Sequence, residues 1–251
     1  MKKLSVFILA ALAVSCASHS LDSKVFMSYN VRNGLGMDNQ RVYSRPADII
    51  KEYCPDVVAL QELDRGTNRV DSADVISEIA RLAEMIPTYA KAIDFDGGQY
   101  GVGLLSKTEP LRTETVPLPG REERRVLLMA EFDGYIFCST HLSLTEEDRL
   151  ASVEIIDNAL RAFTKECGKP VFIAGDWNDT PDSETQSRIR ERFVILSDTE
   201  SFTFPLDTPR VTIDYIALWK ETGIGLDVKP LKALTPPDSV SSDHRPVVIS
   251  F

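Results

Sequence analysis

Apolar runs and periodic apolar positions follow one another closely from about residue 25 to the end of the chain. Short runs rich in β-branched and aromatic residues are typical of buried strands, and apolar residues repeated every three or four positions are typical of helices. Residues 71–85 show the helical spacing, with Asp71 or Ser72 as the expected N-cap. The pattern predicts helices at 41–53, 71–85, 145–165 and from 183 on, and strands at 25–30, 56–62, 100–106, 125–141 with a turn at 133–134, 171–175, 212–218, 227–234 and 246–251.

Adjacent strands and long helical crossovers are mixed along this chain. A purely parallel doubly wound sheet would alternate strand and helix throughout, whereas two packed sheets with helices outside them fit the observed order better. We find no internal repeat, low-complexity segment or linker between residues 25 and 251. These residues are therefore expected to form one α/β domain.

Several predicted strands end in polar side chains. If these ends converge, they form one concave acidic pocket that contains two histidines. Each residue taken alone could instead cap a turn, since Asn and Asp are common there. The polar groups are Asn30, Gln61 with Glu62, Thr140 with His141, Asp176 with Asn178, and Asp243 with His244.

Asp214 interrupts the apolar run at 211–218. A buried carboxylate without a partner costs several kcal/mol or more, so Asp214 requires a partner, and a histidine is the natural one. The chain has three histidines. His19 precedes the domain, and both of the others, His141 and His244, belong to the polar clusters. This distribution favours a functional role over a structural one.

The polar set limits the chemistry. Its oxygen ligands suit Mg²⁺, Mn²⁺ or Ca²⁺ rather than zinc. A hard cation together with imidazoles suits transfer of a phosphoryl group to water. The chain has no G-x-x-x-x-G-K-[ST], G-x-G-x-x-G or G-x-S-x-G motif, so nucleotide-triphosphate sites, dinucleotide sites and serine-hydrolase elbows are not supported. The candidate oxygen ligands are Asn30, Glu62, Asp176, Asn178 and Asp243.

The first residues resemble a processing segment. Lys2 and Lys3 precede an apolar run at 4–14, which is too short to span a bilayer, and small residues then lead to Cys16. The pattern predicts a lipoprotein-type signal peptide over 1–16, a tether over 17–24, and an exported protein anchored by lipidated Cys16 to a bacterial membrane, at the periplasmic or cell-surface side. The alternative is an ordinary secretory signal in which Cys16 is incidental.

The formal net charge of −10 disfavours non-specific binding to duplex DNA. We expect a monomer.

Apart from Cys16 there are three cysteines, which cannot all pair within one chain and show no metal-ligand spacing. Cys138 lies in an apolar stretch and is expected to behave as a small core residue. A disulfide framework is not indicated.

Seven short motifs resemble, in order, those of the endonuclease/exonuclease/phosphatase superfamily, to which pancreatic deoxyribonuclease belongs. They span nearly the whole predicted domain. The resemblance implies a four-layer α/β sandwich, two packed mixed β-sheets flanked by helices, with the site at one end of the sheets. The motifs are Ser-Tyr-Asn-Val at 28–31, Leu-Gln-Glu at 60–62, Gly-Val-Gly-Leu-Leu-Ser at 101–106, Ser-Thr-His-Leu at 139–142, Gly-Asp-Trp-Asn at 175–178, Ile-Asp-Tyr-Ile at 213–216 and Ser-Asp-His-Arg-Pro at 242–246.

The same resemblance implies roles for individual residues. Glu62 is the implied principal metal ligand, helped by Asn30, and Asp243 supports the metal or His244. Asp176 and Asn178 position or activate the attacking water and bind the phosphate. His244 acts on the scissile phosphate as general base or charge stabiliser, with its imidazole oriented by Asp214. His141 stabilises or protonates the leaving oxygen, and Arg124 or Arg125 reaches a phosphate oxygen unless the pair is a solvated strand edge.

The function predicted from the sequence is a divalent-metal-dependent phosphoesterase, acting on a phosphodiester or a phosphomonoester. Nucleic acids, phospholipid or sphingolipid head groups and soluble esters such as inositol phosphates all remain candidate substrates. Gln99 lies where abasic-site endonucleases carry a tyrosine, which disfavours that activity. The segment 201–205 lines the cleft or is a packed loop. The alternative from another class is a catalytically inactive binding lipoprotein that retains the fold.

Overall fold

The computed structural model describes residues 21, 23–165, 167–222 and 228–251. The predicted signal peptide, including Cys16, lies outside the described residues, as does most of the predicted tether. From the tether, Leu21 packs against the core and the Ser23 N–H donates to the Phe251 carbonyl at 3.0 Å. Lys24 forms an ion pair with Asp56 at 3.0 Å.

In the described part of the chain, twelve strands form two six-stranded sheets with four α-helices. The first sheet has the order β11-β12-β1-β2-β4-β3 and the second has the order β5-β6-β7-β8-β10-β9. The strands are β1 Val25–Asn30, β2 Val57–Arg65, β3 Ile86–Phe95, β4 Gly98–Ser106, β5 Arg112–Leu118, β6 Arg125–Glu131, β7 Ile136–His141, β8 Val171–Asp176, β9 Phe193–Ile195, β10 Asp214–Trp219, β11 Lys232–Leu234 and β12 Val247–Ser250, and the helices are α1 Ser44–Tyr53, α2 Val75–Ala83, α3 Glu146–Phe163 and α4 Glu184–Arg192.

Three apolar layers hold the molecule together. Between the sheets, the ring of Phe26 lies 5.0 Å from that of Phe137 and 4.7 Å from that of Phe172, measured between ring centroids. The outer face of the first sheet packs against α1 and α2. The outer face of the second packs against α3 and α4, and buried Cys138 belongs to this layer. The predicted four-layer α/β sandwich of two mixed β-sheets is therefore confirmed.

Strand direction explains why the polar ends meet. β1 runs parallel to β2, and β7 runs parallel to β8, so the C-terminal ends of each pair lie side by side. The register sets Asn30 opposite Gln61 and His141 opposite Asp176. β10 is antiparallel to β8, so it begins where β8 ends, with Asp214 opposite Asp176. Alternate residues of each strand face the core. Toward this end of the sheets, the inward-facing side chains change from aromatic to polar.

Several element boundaries differ from the predicted ones. The helix expected over 71–85 begins at Val75, and its N-cap is Asp74, whose side chain accepts from the Ser77 N–H; Asp71 and Ser72 instead have left-handed backbones. At the start of α3 the Thr145 side chain makes no cap bond. Ser183 does cap α4, accepting from the Gln186 N–H at 3.0 Å.

Other predicted elements are shorter, and three strands were missed. The first helix begins at residue 44 rather than 41, and of the described residues in the strand expected at 227–234, Lys232–Leu234 form β11, which pairs with β12. Strands β3, β5 and β9 had no counterpart in the sequence prediction. Among the described residues, none of the helices has the length and apolar composition needed to cross a membrane.

Candidate active site

Asn30, at the end of β1, joins the two sheets through its side chain. Its Nδ2 donates to Glu62 Oε1 at 2.9 Å and to Asp176 Oδ2 at 3.1 Å, while its Oδ1 accepts from the Arg32 N–H at 3.1 Å. Asn30 is fully buried. It therefore fixes the distance between a carboxylate of the first sheet and one of the second.

A bulge in β2 directs Glu62 toward the site. The register between β2 and β4 shifts between Leu60 and Leu63, and Glu62 has a positive φ of 59°. β-bulges commonly redirect a side chain beside a functional site. Burial raises the pKa of Glu62, opposed by the hydrogen bond from Asn30. The protein alone therefore compensates the negative charge of the Glu62 carboxylate poorly.

Asp176 and Asn178 form a tight turn after β8. Asp176 Oδ1 accepts from the Asn178 N–H at 2.9 Å, and Asn178 adopts a left-handed φ of 52°. Asn178 Nδ2 donates to the Leu142 carbonyl at 2.9 Å, which ties this turn to the end of β7. Burial raises the pKa of Asp176 to about 7, although nearby His244 acts in the opposite direction.

His244 lies between two carboxylates. Its Nδ1 is 2.9 Å from Asp214 Oδ2, and its Nε2 is 3.5 Å from Asp176 Oδ2. Its ring contacts that of Phe204, with 4.7 Å between ring centroids and a tilt of 41°. Burial lowers the pKa of His244, but Asp214 and Asp176 outweigh burial and raise it to about 10. The imidazole is therefore a cation at neutral pH, and the partner that Asp214 requires is His244.

His141 differs from His244 in charge. Its Nε2 is 3.5 Å from Asp176 Oδ2, and burial, together with the positive charges of Arg125 and His244, lowers its pKa well below the usual value. A neutral imidazole has one donor and one acceptor nitrogen. The pocket thus holds one neutral and one protonated imidazole against the same aspartate.

Asp243 is partly exposed and pairs with Arg32. Its Oδ2 is 3.3 Å from Arg32 Nε, and its side chain is 24% exposed. It is close enough to Glu62 to raise the pKa of that carboxyl. Asp243 therefore adds negative charge near the predicted metal ligands while Arg32 partly balances it.

The two arginines proposed for phosphate binding occupy different environments. Arg124 is exposed, whereas Arg125 is buried and lies 2.8 Å from Glu123 and 3.3 Å from Glu122. Arg125 lines the same small cavity as His141. Two carboxylates therefore orient the Arg125 guanidinium, and its contact with a phosphate oxygen stays a prediction.

The donor set fits a divalent cation. Atoms of Asp176, Asp214 and His244 all lie within 4.8 Å of one another, but protonated His244 has no lone pair to offer a metal. The carboxylates available to a cation are those of Asp176 and Glu62, which the Asn30 amide joins. Burial raises the pKa of both Glu62 and Asp176, a cost that a bound hard cation would offset. Of the predicted ligands, Glu62 and Asp243 offer carboxylate oxygens, whereas the Asn30 oxygen is already engaged by Arg32.

Arg149 was not predicted as a site residue from the sequence. It is buried on α3, and its guanidinium contacts the Ser143 and Leu144 carbonyls at 3.2 and 2.8 Å and Asp179 at 3.3 Å. Its spacing could have identified it as a buried residue. Arg149 precedes Val153 by four residues and therefore lies on the apolar face of the helix. A charged residue on the buried face of a helix requires buried hydrogen-bond or ion-pair partners.

Comparison with known proteins identifies the family. A protein of Escherichia coli (strain K12), YbhP, is 24% identical over 243 residues, covering 88% of this chain and 93% of that one. An endonuclease/exonuclease/phosphatase structure from Beutenbergia cavernae superposes with a TM-score of 0.73 at 18% identity, covering 91% of this chain and 71% of that one. The mannosyl-6-phosphatase Bt3783 of Bacteroides thetaiotaomicron superposes with a TM-score of 0.71 at 14% identity, covering 90% and 98%. Residues 27–244 match the model of the Endonuclease/Exonuclease/phosphatase family, and the chain belongs to that family.

Proposed function

We propose that the protein is a divalent-metal-dependent phosphoesterase that hydrolyses a phosphate ester by attack of water. The observation that carries this proposal is the position of His244, a cation held between Asp214 and Asp176 next to the Asn30–Glu62 pair. The family includes phosphatases and nucleases, which are typically metal-dependent phosphoesterases. The expected cation is Mg²⁺, with Mn²⁺ or Ca²⁺ as alternatives.

The charge of each side chain determines its role in the reaction. Protonated His244 donates to a phosphate oxygen, and Asp214 holds the imidazole in that orientation. Asp176, 3.5 Å from His244 Nε2 and held by the Asn178 N–H, is placed to accept the proton of the attacking water. His141, which is neutral, donates a hydrogen bond to the leaving oxygen, and as the P–O bond breaks that oxygen takes up a proton from solvent to leave as the alcohol. A cation bound by Glu62, with Asp243 nearby, would supply charge stabilisation at the phosphate.

The generic reaction can be tested with chromogenic esters. Hydrolysis of bis(p-nitrophenyl) phosphate and p-nitrophenyl phosphate is measured in Mg²⁺ and in EDTA, for the wild type and for His244→Ala. We expect activity in Mg²⁺ that is lost in EDTA and falls by roughly 10²-fold or more in the variant. Arg161→Ala is the control, since Arg161 lies 45% exposed on α3 and pairs with Asp157, away from the pocket. Full activity in EDTA or in His244→Ala would contradict the mechanism.

The alternative of an inactive binding protein predicts a degraded site. The pocket instead retains Glu62, Asp176, Asp214 and His244 in contact or through one bridging amide. That completeness supports the enzyme. Failure of any divalent ion to raise the melting temperature, with no hydrolysis of either ester, would favour the alternative.

We also propose, from the first sixteen residues, that the protein is exported and anchored to a bacterial membrane through lipidated Cys16. Membrane fractionation of the wild type and Cys16→Ser checks this.

A substrate panel separates the candidate substrates. It includes plasmid DNA, single-stranded RNA, sphingomyelin and inositol phosphates. Mannose 6-phosphate is added because one structural neighbour is a mannosyl-6-phosphatase.

A further inference from the structure

The loop that precedes β10 folds back on itself beside the candidate active site. The Phe204 N–H donates to the Val211 carbonyl and the Val211 N–H donates to the Phe204 carbonyl, each at 3.0 Å. The Thr203 N–H donates to the same Val211 carbonyl at 2.9 Å. Val211 is three residues before Asp214, the first residue of β10. Residues 203 and 204 are therefore fixed to the chain just before Asp214.

Two backbone hydrogen bonds join this loop to the chain on either side of His244. The Arg245 N–H donates to the Thr203 carbonyl at 2.8 Å. The Leu206 N–H donates to the Asp243 carbonyl at 2.7 Å. Because both neighbours of His244 are held, the loop limits how far the backbone that carries the imidazole can move.

The Thr203 side chain connects the same loop to the start of β10. Thr203 is fully buried, and its Oγ1 accepts from the Ile213 N–H at 3.1 Å. The Ile213 carbonyl accepts from the Trp177 N–H at 2.8 Å, directly after Asp176. Ile213 directly precedes Asp214. The position of the Asp214 backbone therefore depends on a hydrogen bond to the Thr203 hydroxyl oxygen.

We propose that Thr203 is a positioning residue for the Asp214–His244 pair. Its carbonyl holds the residue after His244, and its hydroxyl oxygen holds the residue before Asp214. One buried residue thus fixes the two partners relative to each other, and it supports the 2.9 Å separation of His244 Nδ1 and Asp214 Oδ2. The inference rests on the proposed function, in which Asp214 orients His244 toward a phosphate oxygen.

The hydroxyl oxygen of Thr203, rather than the size of its side chain, is the essential feature. Buried backbone N–H groups are almost always hydrogen-bonded, and the bond from the Ile213 N–H to Thr203 Oγ1 is buried. Without this acceptor the N–H must turn to another group or to water, since an unpaired buried donor is costly. The backbone next to Asp214 moves with it.

Thr203→Val and Thr203→Ser separate the hydroxyl from the shape of the side chain. Val has nearly the shape of Thr but no acceptor, whereas Ser keeps the acceptor and loses the methyl group. In the chromogenic assay with Mg²⁺, kcat of Thr203→Val should fall by about tenfold to a hundredfold with KM little changed, because a displacement of about 1 Å in a site costs that much in rate. Thr203→Ser should keep most of the wild-type kcat. Thr203→Ala, which also lacks the acceptor, replaces Thr203→Val if that variant does not fold.

Thr164→Val is the matched control. Thr164 is also buried, and its hydroxyl donates to the Leu160 carbonyl at 2.7 Å. It lies at the C-terminal end of the 18-residue helix α3, about 27 Å from the end that begins near the candidate site. The variant should therefore keep the wild-type kcat.

NMR of the His244 ring protons gives a readout that does not depend on hydrolysis. The Phe204 ring lies 4.7 Å from the imidazole at a tilt of 41°, and its ring current shifts the imidazole signals according to this distance and tilt. The chain has three histidines, and the His244 signals are those absent from His244→Ala. At one fixed pH and without metal, they should move in Thr203→Val and coincide with the wild-type signals in Thr203→Ser and Thr164→Val.

The possible failures are distinguishable. Unchanged His244 signals in Thr203→Val would overturn the positioning role, whatever the activity of the variant. An equal loss of kcat in Thr203→Ser or in Thr164→Val would also overturn it, since the hydroxyl acceptor would then not be the cause. Absence of hydrolysis of both chromogenic esters by the wild type would contradict the proposed function, and the His244 signals would still decide whether Thr203 positions the imidazole.

Discussion

The guanidinium of Arg149 lies 3.3 Å from the carboxylate of Asp179, and both side chains are buried. Arg149 also donates to the Ser143 and Leu144 carbonyls, in the loop that follows His141. Asp179 follows Asn178 directly, and its carbonyl accepts from the Tyr215 hydroxyl at 2.8 Å. The ion pair therefore locks the end of β7 to the turn after β8, so Arg149 is a positioning residue for His141 and Asn178.

Replacement of Arg149 by Met should lower both activity and stability. Removing one partner of a buried ion pair costs roughly 3–5 kcal/mol, and a displacement of about 1 Å in a site costs about 10²-fold in rate. We expect kcat to fall by that factor with KM little changed, and Arg149→Lys to recover part of the loss. Urea denaturation and steady-state kinetics measure the two effects.

The control for this prediction is Arg161→Met on the same helix. Arg161 is exposed and pairs with Asp157, so its loss should change activity little. Added guanidinium at millimolar concentration should restore part of the activity of Arg149→Ala but none of that of an inactive His244→Ala. A fully active Arg149→Met protein would show that the ion pair does not position the site.

Asp214→Asn should separate the orientation of His244 from its charge. The amide can still bond to Nδ1, but it removes the negative charge that raises the pKa of the imidazole. We expect kcat in Mg²⁺ to fall roughly 10²–10⁴-fold. NMR of the metal-free protein should show His244 titrating at a lower pH than in the wild type.

Asp157→Asn provides the matched control for Asp214→Asn. Asp157 is also buried, and it accepts from Trp219 Nε1 at 2.8 Å on the outer side of the second sheet. Its replacement should lower the melting temperature without the loss of kcat. If both variants lose the same activity, the effect of Asp214→Asn is one of stability alone.

The polar strand ends could be predicted from the sequence because their signals are local. Asn30 and Asp176 each terminate an apolar run, and parallel pairing then brings the two ends together. Asp214 was informative for a different reason, since a carboxylate in an apolar strand needs a partner whatever the fold. The edge strands were missed because β5 buries little beyond Leu118, so its apolar pattern is weak.

Other features of the site depend on long-range pairing. The bulge that directs Glu62 arises from the register between β2 and β4, and the residue types in β2 do not predict it. Arg124 or Arg125 was predicted to reach a phosphate oxygen, and the sequence did not show that Arg125 pairs with Glu122 and Glu123. Arg149 finds Asp179 thirty residues away. Such contacts require the packed sheets before they can be recognised.

Mg²⁺ should stabilise the metal-free protein. Burial raises the pKa of both Glu62 and Asp176, so a cation bound to the folded state offsets a cost that the unfolded chain does not have. At a hundredfold excess over the Kd, the gain is about 2.7 kcal/mol, or about 5–10 °C in Tm for a chain of this size. Thermal unfolding in MgCl₂ and in NaCl of equal ionic strength measures it.

Glu62→Gln should remove most of this Mg²⁺ response. Glu131→Gln is the control, since Glu131 pairs with Lys169 and Arg112, outside the pocket, and the variant should keep the full shift. Equal shifts for the wild type and Glu62→Gln would mean that the cation binds elsewhere.

Glu122 should make stability depend on pH below about 5. Its carboxylate accepts from the Ser143 hydroxyl at 2.7 Å and the Leu144 N–H at 2.7 Å, and lies 3.3 Å from Arg125. Burial opposes ionisation, but these partners outweigh it and lower the pKa to about 2, from 4.5. A lowered pKa in the folded state means that the stabilisation is complete above about pH 4.5 and is lost as the pH falls toward 2.

Glu122→Gln should therefore be less stable than the wild type at pH 6, and the difference between their free energies of unfolding should shrink steadily from pH 5 to pH 2. Because the Glu122 side chain is 27% exposed, added salt should reduce the difference. Urea denaturation across this pH range measures both effects. Glu147→Gln, at a position 73% exposed and 3.7 Å from Arg121, should change stability little at pH 6. A difference for Glu122→Gln that persists undiminished at pH 2 would mean that the carboxylate charge does not hold the Ser143 loop.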